Sequence, residues 1–389
     1  MYNFDENIDR QNTNSIKYDL RKAIFGSENI IPMWVADMDF KTPDFIMKAI
    51  KKRTEHEILG YTTRNDSFYQ SVIQWINKKH EWEIQKNWIS FSPGVVPALS
   101  FSVLAFTKPG DKIIVQPPVY FPFFSSVQNN GRQLVYNELK NINGNYFFDI
   151  ENLKNQIDSR VKMLFLCNPH NPVGRVWTKT ELTEIANICV ENDILIVSDE
   201  IHSDFIFKPN KHIPIASISD EIAEKTITTF APSKTFNIAG LSSSIVIIKN
   251  KKLKETYDNL LNDLHLNNGN IFGNIALETA YNNGDEWLNQ LLNYLEENID
   301  FADNFIKNNI KKIKFKRPES TYLLWLDFRD FKLSDNQLNN FLVNKAKIGL
   351  SKGEMFGQGG NGFQRMNIAC SKNILEKALN QLKKAIDNL

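Results

Sequence analysis

Between residues 88 and 248 the chain alternates short apolar runs with stretches of helical period. The runs at 88–91, 112–116, 133–136, 163–167, 195–198, 226–230 and 244–248 have strand length. Several are continuously apolar, as strands must be when helices cover both faces of their sheet. Between them, 180–192 places Leu182, Ile185, Ala186 and Cys189 on one helical face. Upstream, Thr42-Pro43-Asp44 reads as an N-cap, a proline at the first helical position and a favourable acid. It opens a helix carrying Phe45, Ile46, Ala49 and Ile50. The alternation predicts an α/β fold with a mostly parallel central sheet sandwiched by helices.

From about residue 285 the pattern changes. A long helix at 287–308 leads to strands at 312–316 and 322–328, a helix at 335–347, a strand at 364–369 and a terminal helix from Ser371. This is a smaller α+β unit. The first 40 residues lack a regular period and are expected to wrap across it. The chain therefore divides into a large domain, 41–284, and a small one made of the N-terminal arm, 1–40, with 285–389.

Composition narrows the function. With 46 basic and 45 acidic residues among 389, the net charge is +1, which is no footprint of a nucleic-acid or anionic-membrane partner. The clusters Lys51-Lys52-Arg53 and Lys251-Lys252 read as solvated helix faces. Apolar runs such as 243–248 are too short to span a bilayer, and the acidic, polar stretch from Met1 to Arg10 does not read as a signal peptide. The three cysteines are widely spaced without a CxxC, so neither a disulfide nor a metal site is expected, and a reducing cytoplasm fits best.

Candidate chemistry gathers at predicted strand ends, where open α/β sheets bind ligands. Ser233 and Lys234 follow 226–230, and a lysine so placed can form an imine with an aldehyde cofactor. Asp199 and His202 follow 195–198; a carboxylate emerging from that run is partly buried and needs a cationic or donor partner. Asn171 lies in the turn Asn168-Pro169-His170-Asn171-Pro172-Val173-Gly174. Gly94, Val95 and Val96 open a helix after 88–91, where free backbone N–H groups and the helix dipole can cradle a phosphate. Tyr120 offers a ring for stacking on a flat heterocycle. Arg365 begins the last predicted strand and suits bidentate carboxylate recognition. Singly, these read as a surface lysine, a helix-capping acid, a turn, core packing or a surface ion pair.

Their order and spacing together resemble the pyridoxal 5′-phosphate (PLP) fold-type I series of the aspartate-aminotransferase superfamily. The resemblance covers nearly the whole chain. The segments 8–18, 32–40, 60–61, 92–99, 116–122, 199–204 and 231–241 further resemble the MalY/PatB-type cystathionine β-lyases. The resemblance implies that Lys234 binds the cofactor covalently and moves protons at the substrate Cα, and that Asp199 pairs with the pyridinium nitrogen. It implies that Asn171 and His202 lie at the ring's phenolate oxygen, that Tyr120 stacks on the ring, and that Gly94, Val95, Val96 and Ser233 hold the phosphate. Tyr61 is expected to reach the phosphate in a neighbouring subunit, which makes the enzyme a homodimer with shared sites. Arg365 clamps the substrate carboxylate, and the backbone at Ala36 closes over it. Two positions depart from the pattern: Ser242 stands where many aminotransferases carry a phosphate-gripping arginine, and Ser320 where a smaller residue is expected.

The implied reaction is β-elimination from L-cystathionine or a related S-substituted cysteine, giving a thiol, pyruvate and ammonia. An aminotransferase on the same scaffold is the alternative. A regulatory protein that contacts a transcription factor is a third reading, which the resemblance permits.

Overall fold

The computed structural model describes residues 2–389; residue 1, the first of the predicted arm, lies outside them. The seven apolar runs form one sheet: β1 (Ile89–Ser92), β2 (Lys112–Val115), β3 (Gln133–Tyr136), β4 (Val161–Cys167), β5 (Leu195–Asp199), β6 (Thr226–Phe230) and β7 (Ser244–Ile247). Their order across the sheet is β1-β7-β6-β5-β4-β2-β3. Only β7 runs against its neighbours, pairing antiparallel with both β1 and β6. The carboxyl ends of the other six therefore share one edge with the amino end of β7.

Alternate residues of the strands feed two apolar layers. Ile113, Val115, Met163, Phe165, Val197 and Ile227 pack with Leu99, Phe123, Tyr257 and Leu261 on one face. Ile114, Leu164, Leu166 and Ile196 pack with Leu182, Ile185 and Cys189 on the other. The helix read at 180–192 is Lys179–Glu191, opened by a capping box between Thr178 and Glu181.

Beyond the sheet, a helix at Asp285–Asn309 leads to an antiparallel sheet of β8 (Leu323–Asp327), β9 (Ser351–Lys352) and β10 (Phe363–Asn367), in the order β8-β10-β9. The terminal helix is Lys372–Asp387, with Ser371 in the N-cap position. The N-terminal arm docks on this unit through a parallel pair, Ile31–Pro32 against Ile348–Gly349.

Three expectations change, and Ser320 finds its place. Thr42 does not cap the first long helix: Asp44–Thr54 has Pro43 in the cap position, and the Thr42 hydroxyl donates instead to Asn237 O at 3.2 Å. No strand forms at 312–316; Lys314 makes a lone bridge to Asp327. There Ile313 is buried and Phe315 packs on the core, so the alternation reports sidedness without a partner strand. The helix at 335–347 is α-helical only over Asp335–Phe341 and then widens into a π turn, Leu342–Ala346. Ser320 is buried, and its backbone N–H donates to Gly174 O at 3.1 Å, while its hydroxyl has no partner.

Candidate active site

The shared sheet edge collects the candidate residues. β1 runs into Gly94, β2 into Tyr120, β4 into Asn171, β5 ends in Asp199, and β6 leads into the single helical turn Pro232–Thr235 that carries Ser233 and Lys234. One pocket of about 190 Å³ is lined by Ala36, Gly94, Val95, Val96, Tyr120, Asn171, Asp199, His202, Ser233 and Lys234. Because β7 begins at this edge, Ser242 and Ser243 join the lining. Sequence reasoning treated Ser242 only as a missing arginine and passed over Ser243.

At the β1 end, the helix Val95–Phe106 starts at Gly94 with no side-chain cap, so its first N–H groups point free into the pocket mouth. The turn is fixed from behind: Ser92 Oγ donates to Gly94 O at 2.7 Å, and Ser244 Oγ donates to Ser92 O at 2.9 Å. Ser243 Oγ is buried without a partner. This end offers backbone N–H groups, hydroxyls and a helix dipole for an anion, and no arginine lines it.

In the middle, Asp199 is buried and its carboxyl forms no ion pair; it accepts one hydrogen bond, from the Ile201 N–H at 3.1 Å, and the Lys234 ammonium acts on it only from a distance. Burial pushes its carboxyl up to about 7. Lys234 Nζ donates to Ala36 O at 2.7 Å. Burial lowers its ammonium to about 8, with the Asp37 carboxylate opposing that shift. His202 has an unpartnered buried Nδ1, and burial holds its ring neutral, at about 3.

Arg365 stands at the far side, on β10. Its guanidinium donates to Asn171 Oδ1 at 3.0 Å, Trp34 O at 2.9 Å and Ser351 Oγ at 3.2 Å, and its Nε has no partner. Burial lowers it to about 10, so it remains a cation at neutral pH. The bond to Arg365 orients Asn171 and leaves the amide NH₂ as its remaining donor group.

The arm is fastened over these groups. Asn367 Nδ2 donates to Val35 O and Asp37 O, each at 2.6 Å. Asn237 donates to Met38 O at 3.0 Å and Phe40 O at 2.8 Å. The segments 8–18 and 32–40 meet in a compact ion cluster: Arg10 binds Asp37 at 2.6 Å and Asp39 at 2.7 Å, and the buried Lys17 binds Asp39 at 2.9 Å. Tyr322 OH donates to Ala36 O at 2.9 Å.

Behind the pocket lies buried polar chemistry that the motifs did not reveal. Asp204 accepts from the Thr235 hydroxyl at 2.7 Å and from the Trp75 indole at 3.3 Å. Glu200 accepts from Ser198 Oγ at 2.8 Å and contacts His212 Nε2 at 2.7 Å. Burial raises the Glu200 carboxyl and lowers the His212 ring, and Glu200 adds to the upward push on Asp199.

Two predicted residues do not line the pocket: Arg365, which stands behind Asn171 and reaches the site through it, and Tyr61, which lies away from it altogether. The Tyr61 side chain is 104% exposed, and with Gly60 it lines a separate hollow formed with residues 268–272. Among the described residues no cluster of metal-ligating side chains occurs, and no helix is long and apolar enough to cross a membrane.

A strand-end lysine in a pocket, a buried aspartate without an ion pair and a buried arginine behind the pocket's asparagine suit an enzyme that handles small charged substrates through a ring cofactor. The aminotransferase class I and II family model matches residues 28–382, and the chain belongs to that family. It is 42% identical to the cystathionine β-lyase PatB of Bacillus subtilis, over 99% of this chain and 100% of that one. A PLP-bound protein of Clostridium difficile 630, provisionally described as an aminotransferase, shares 48% identity with a TM-score of 0.97, covering 99% of this chain and 100% of its own. The PLP-bound C–S lyase of Staphylococcus hominis shares 34% identity with a TM-score of 0.93, covering 99% and 98%.

The family is PLP-dependent, and this pocket fits the group. The free helix N–H groups and the orphaned Ser243 hydroxyl suit a phosphate. Asp199 has no ion-pair partner and suits a protonated ring nitrogen, and the unpartnered His202 shares the lining with Asn171.

Proposed function

We propose that this chain is a PLP-dependent C–S β-lyase acting on L-cystathionine or a closely related S-substituted cysteine. The observation that carries the reading is the placement of Lys234 and Arg365. The amine donates to Ala36 O at 2.7 Å and the guanidinium to Trp34 O at 2.9 Å, so a proton-moving group and a carboxylate clamp face one arm segment two residues apart. That spacing suits an α-amino acid whose Cα lies over Lys234. Kinship with PatB and with the S. hominis lyase favours elimination as the outcome.

When bound, the cofactor withdraws electrons from the substrate Cα. Asp199 would hold the ring nitrogen protonated, Asn171 and His202 would serve the ring oxygen, and Tyr120 would stack on the ring. Gly94, Val95, Val96 and Ser233 take the phosphate, joined by Ser243. Arg365, fixed by Asn171 and Ser351, orients the carboxylate. Lys234 removes the Cα proton, the Cβ–S bond breaks, and the sulfur leaves as thiolate. Water then completes the conversion of the remaining fragment to pyruvate and ammonia. In this reading 41–284 carries the cofactor residues, while 1–40 and 285–389 carry those that meet the substrate. Tyr61 serves the phosphate of a second copy's site, which makes the working unit a homodimer. The three free, buried cysteines suit a reducing, cytoplasmic setting.

The test is to supply PLP and L-cystathionine without any keto acid and to follow pyruvate and free thiol together. Equal release of both is expected. The C. difficile relative supports aminotransfer as the second reading. Turnover only with an added keto acid, and no thiol, would establish it instead.

A further inference from the structure

The arm segment 34–38 hangs over the pocket by its carbonyl oxygens, and two of these are held in an unusual way. Val35 O, Asp37 O and Met38 O are bound by side chains with no part in the chemistry, chiefly Asn367 and Asn237. Trp34 O and Ala36 O are instead bound by the two working cations, Arg365 and Lys234. Each of these two oxygens also accepts from a neutral hydroxyl on the small domain's sheet or its approach. Ser351 Oγ donates to Trp34 O at 2.8 Å, and Tyr322 OH donates to Ala36 O at 2.9 Å. Tyr322 is fully buried, its ring edge-on to Phe205 at 4.9 Å, so the phenol cannot swing away.

Lys234 cannot keep its bond once it works. Joining the amine nitrogen to the cofactor's aldehyde carbon expels water and leaves at most one proton on a nitrogen now directed at the ring. Tyr322 is then the remaining donor to Ala36 O; without its hydroxyl that oxygen would be a buried acceptor with no partner, an arrangement that proteins rarely leave unmet. We propose that Tyr322 is a positioning residue that holds the Ala36 peptide in place after Lys234 has turned to the cofactor; Ser351 plays the same part for Trp34 when Arg365 turns to a substrate carboxylate. This rests on the reading of Lys234 as the cofactor-binding lysine. The arm thus stays fixed over the substrate while both cations change partners.

The experiment compares Tyr322→Phe with the wild type by thermal melting, each stripped of PLP and each loaded with it. In the stripped protein Lys234 still serves Ala36 O, so loss of the phenol hydroxyl is a minor change. In the loaded protein the substitution orphans the carbonyl, and the midpoint should fall by a further amount of about 2 °C or more. Lys234→Met provides a second arm without cofactor: there Tyr322→Phe should cost as much as in the loaded protein. Equal losses in all three settings would mean that Tyr322 only packs, and would overturn the proposal. Borohydride reduction followed by peptide mass keeps the two readings apart. Attachment at Lys234 with equal losses defeats the role of Tyr322 alone. Attachment at another residue defeats the reading of Lys234 and the proposal with it.

Discussion

Burial sets the proton affinity of Lys234, and that has a kinetic consequence. Held at about 8 rather than at the ordinary 10.5, the amine of the cofactor-free protein is neutral in about one molecule in five near physiological pH, against about one in a thousand for a free lysine. Only the neutral amine has the lone pair that attacks an aldehyde. The rate of PLP capture, read as growth of visible absorbance, should therefore rise about tenfold per pH unit below 8 and level off above it. A rate still climbing steeply at pH 9.5 would show that the desolvation of Lys234 does not govern capture. Asp199 carries the complementary logic. Its carboxyl is pushed up by burial, which Lys234 only partly offsets, and in the proposed reading a protonated ring nitrogen would return it to the anionic form.

The turn that carries Lys234 is one helical turn long, and too short to hold its own direction. Its anchor is the bond from Thr235 to Asp204, which also takes the Trp75 indole of the helix Asp66–His80. Asp204 sits five residues beyond Asp199, so one carboxyl ties the lysine turn to the segment that bears Asp199. Asp204→Ala leaves two buried donors unmet and should cost about 2 kcal/mol in urea unfolding, with a fall in kcat larger than any rise in KM. Thr235→Ser keeps the hydroxyl and should retain most of the rate, whereas Thr235→Val should behave like the Asp204 variant. If the valine and serine variants turned over alike, the anchor would be packing alone. This connection was not legible in the chain, because Thr235 and Asp204 are joined only by the crossover between β5 and β6. The same holds for Glu200 with His212, and for Asn367 with the arm. What was legible were the strands, because helices on both faces demand unbroken apolar runs, and the strand-end residues, because chain direction alone sends them to one edge. Asn143-Gly144 carried a hairpin signal that was passed over: both residues have positive φ, and Lys140–Ile142 pairs with Asn145–Phe147 across them. At 312–316 the error ran the other way, from an alternating pattern with no strand beside it.

At the scale of the whole molecule, one chain holds nearly every group the chemistry needs and conspicuously misplaces one. Ile58, Leu59 and Tyr61 are 70%, 58% and 104% exposed, a contiguous apolar run of the kind a lone soluble chain seldom offers to water. It is braced rather than loose. Arg64 stacks on Phe91 at 4.5 Å and reaches Asn267 O at 2.5 Å, which ties the run to the loop that flanks its hollow. A braced, exposed apolar segment suits the homodimer proposed above, in which two-fold symmetry would lend each pocket the other chain's Tyr61. The phosphate end of the pocket gives this a reason, since it holds hydroxyls and N–H groups but no arginine. Complementation tests the arrangement. Lys234→Ala and Tyr61→Ala homodimers should each be poorly active, the second because it holds PLP weakly. Unfolded and refolded together, they form mixed dimers in which one site carries both defects and the other neither, so about a quarter of all sites should regain full function. Recovery of thiol release on mixing, absent when either variant is refolded alone, is the expected result. If each chain instead completed its own site, mixed dimers would contain only singly defective pockets, and refolding the two together would restore nothing.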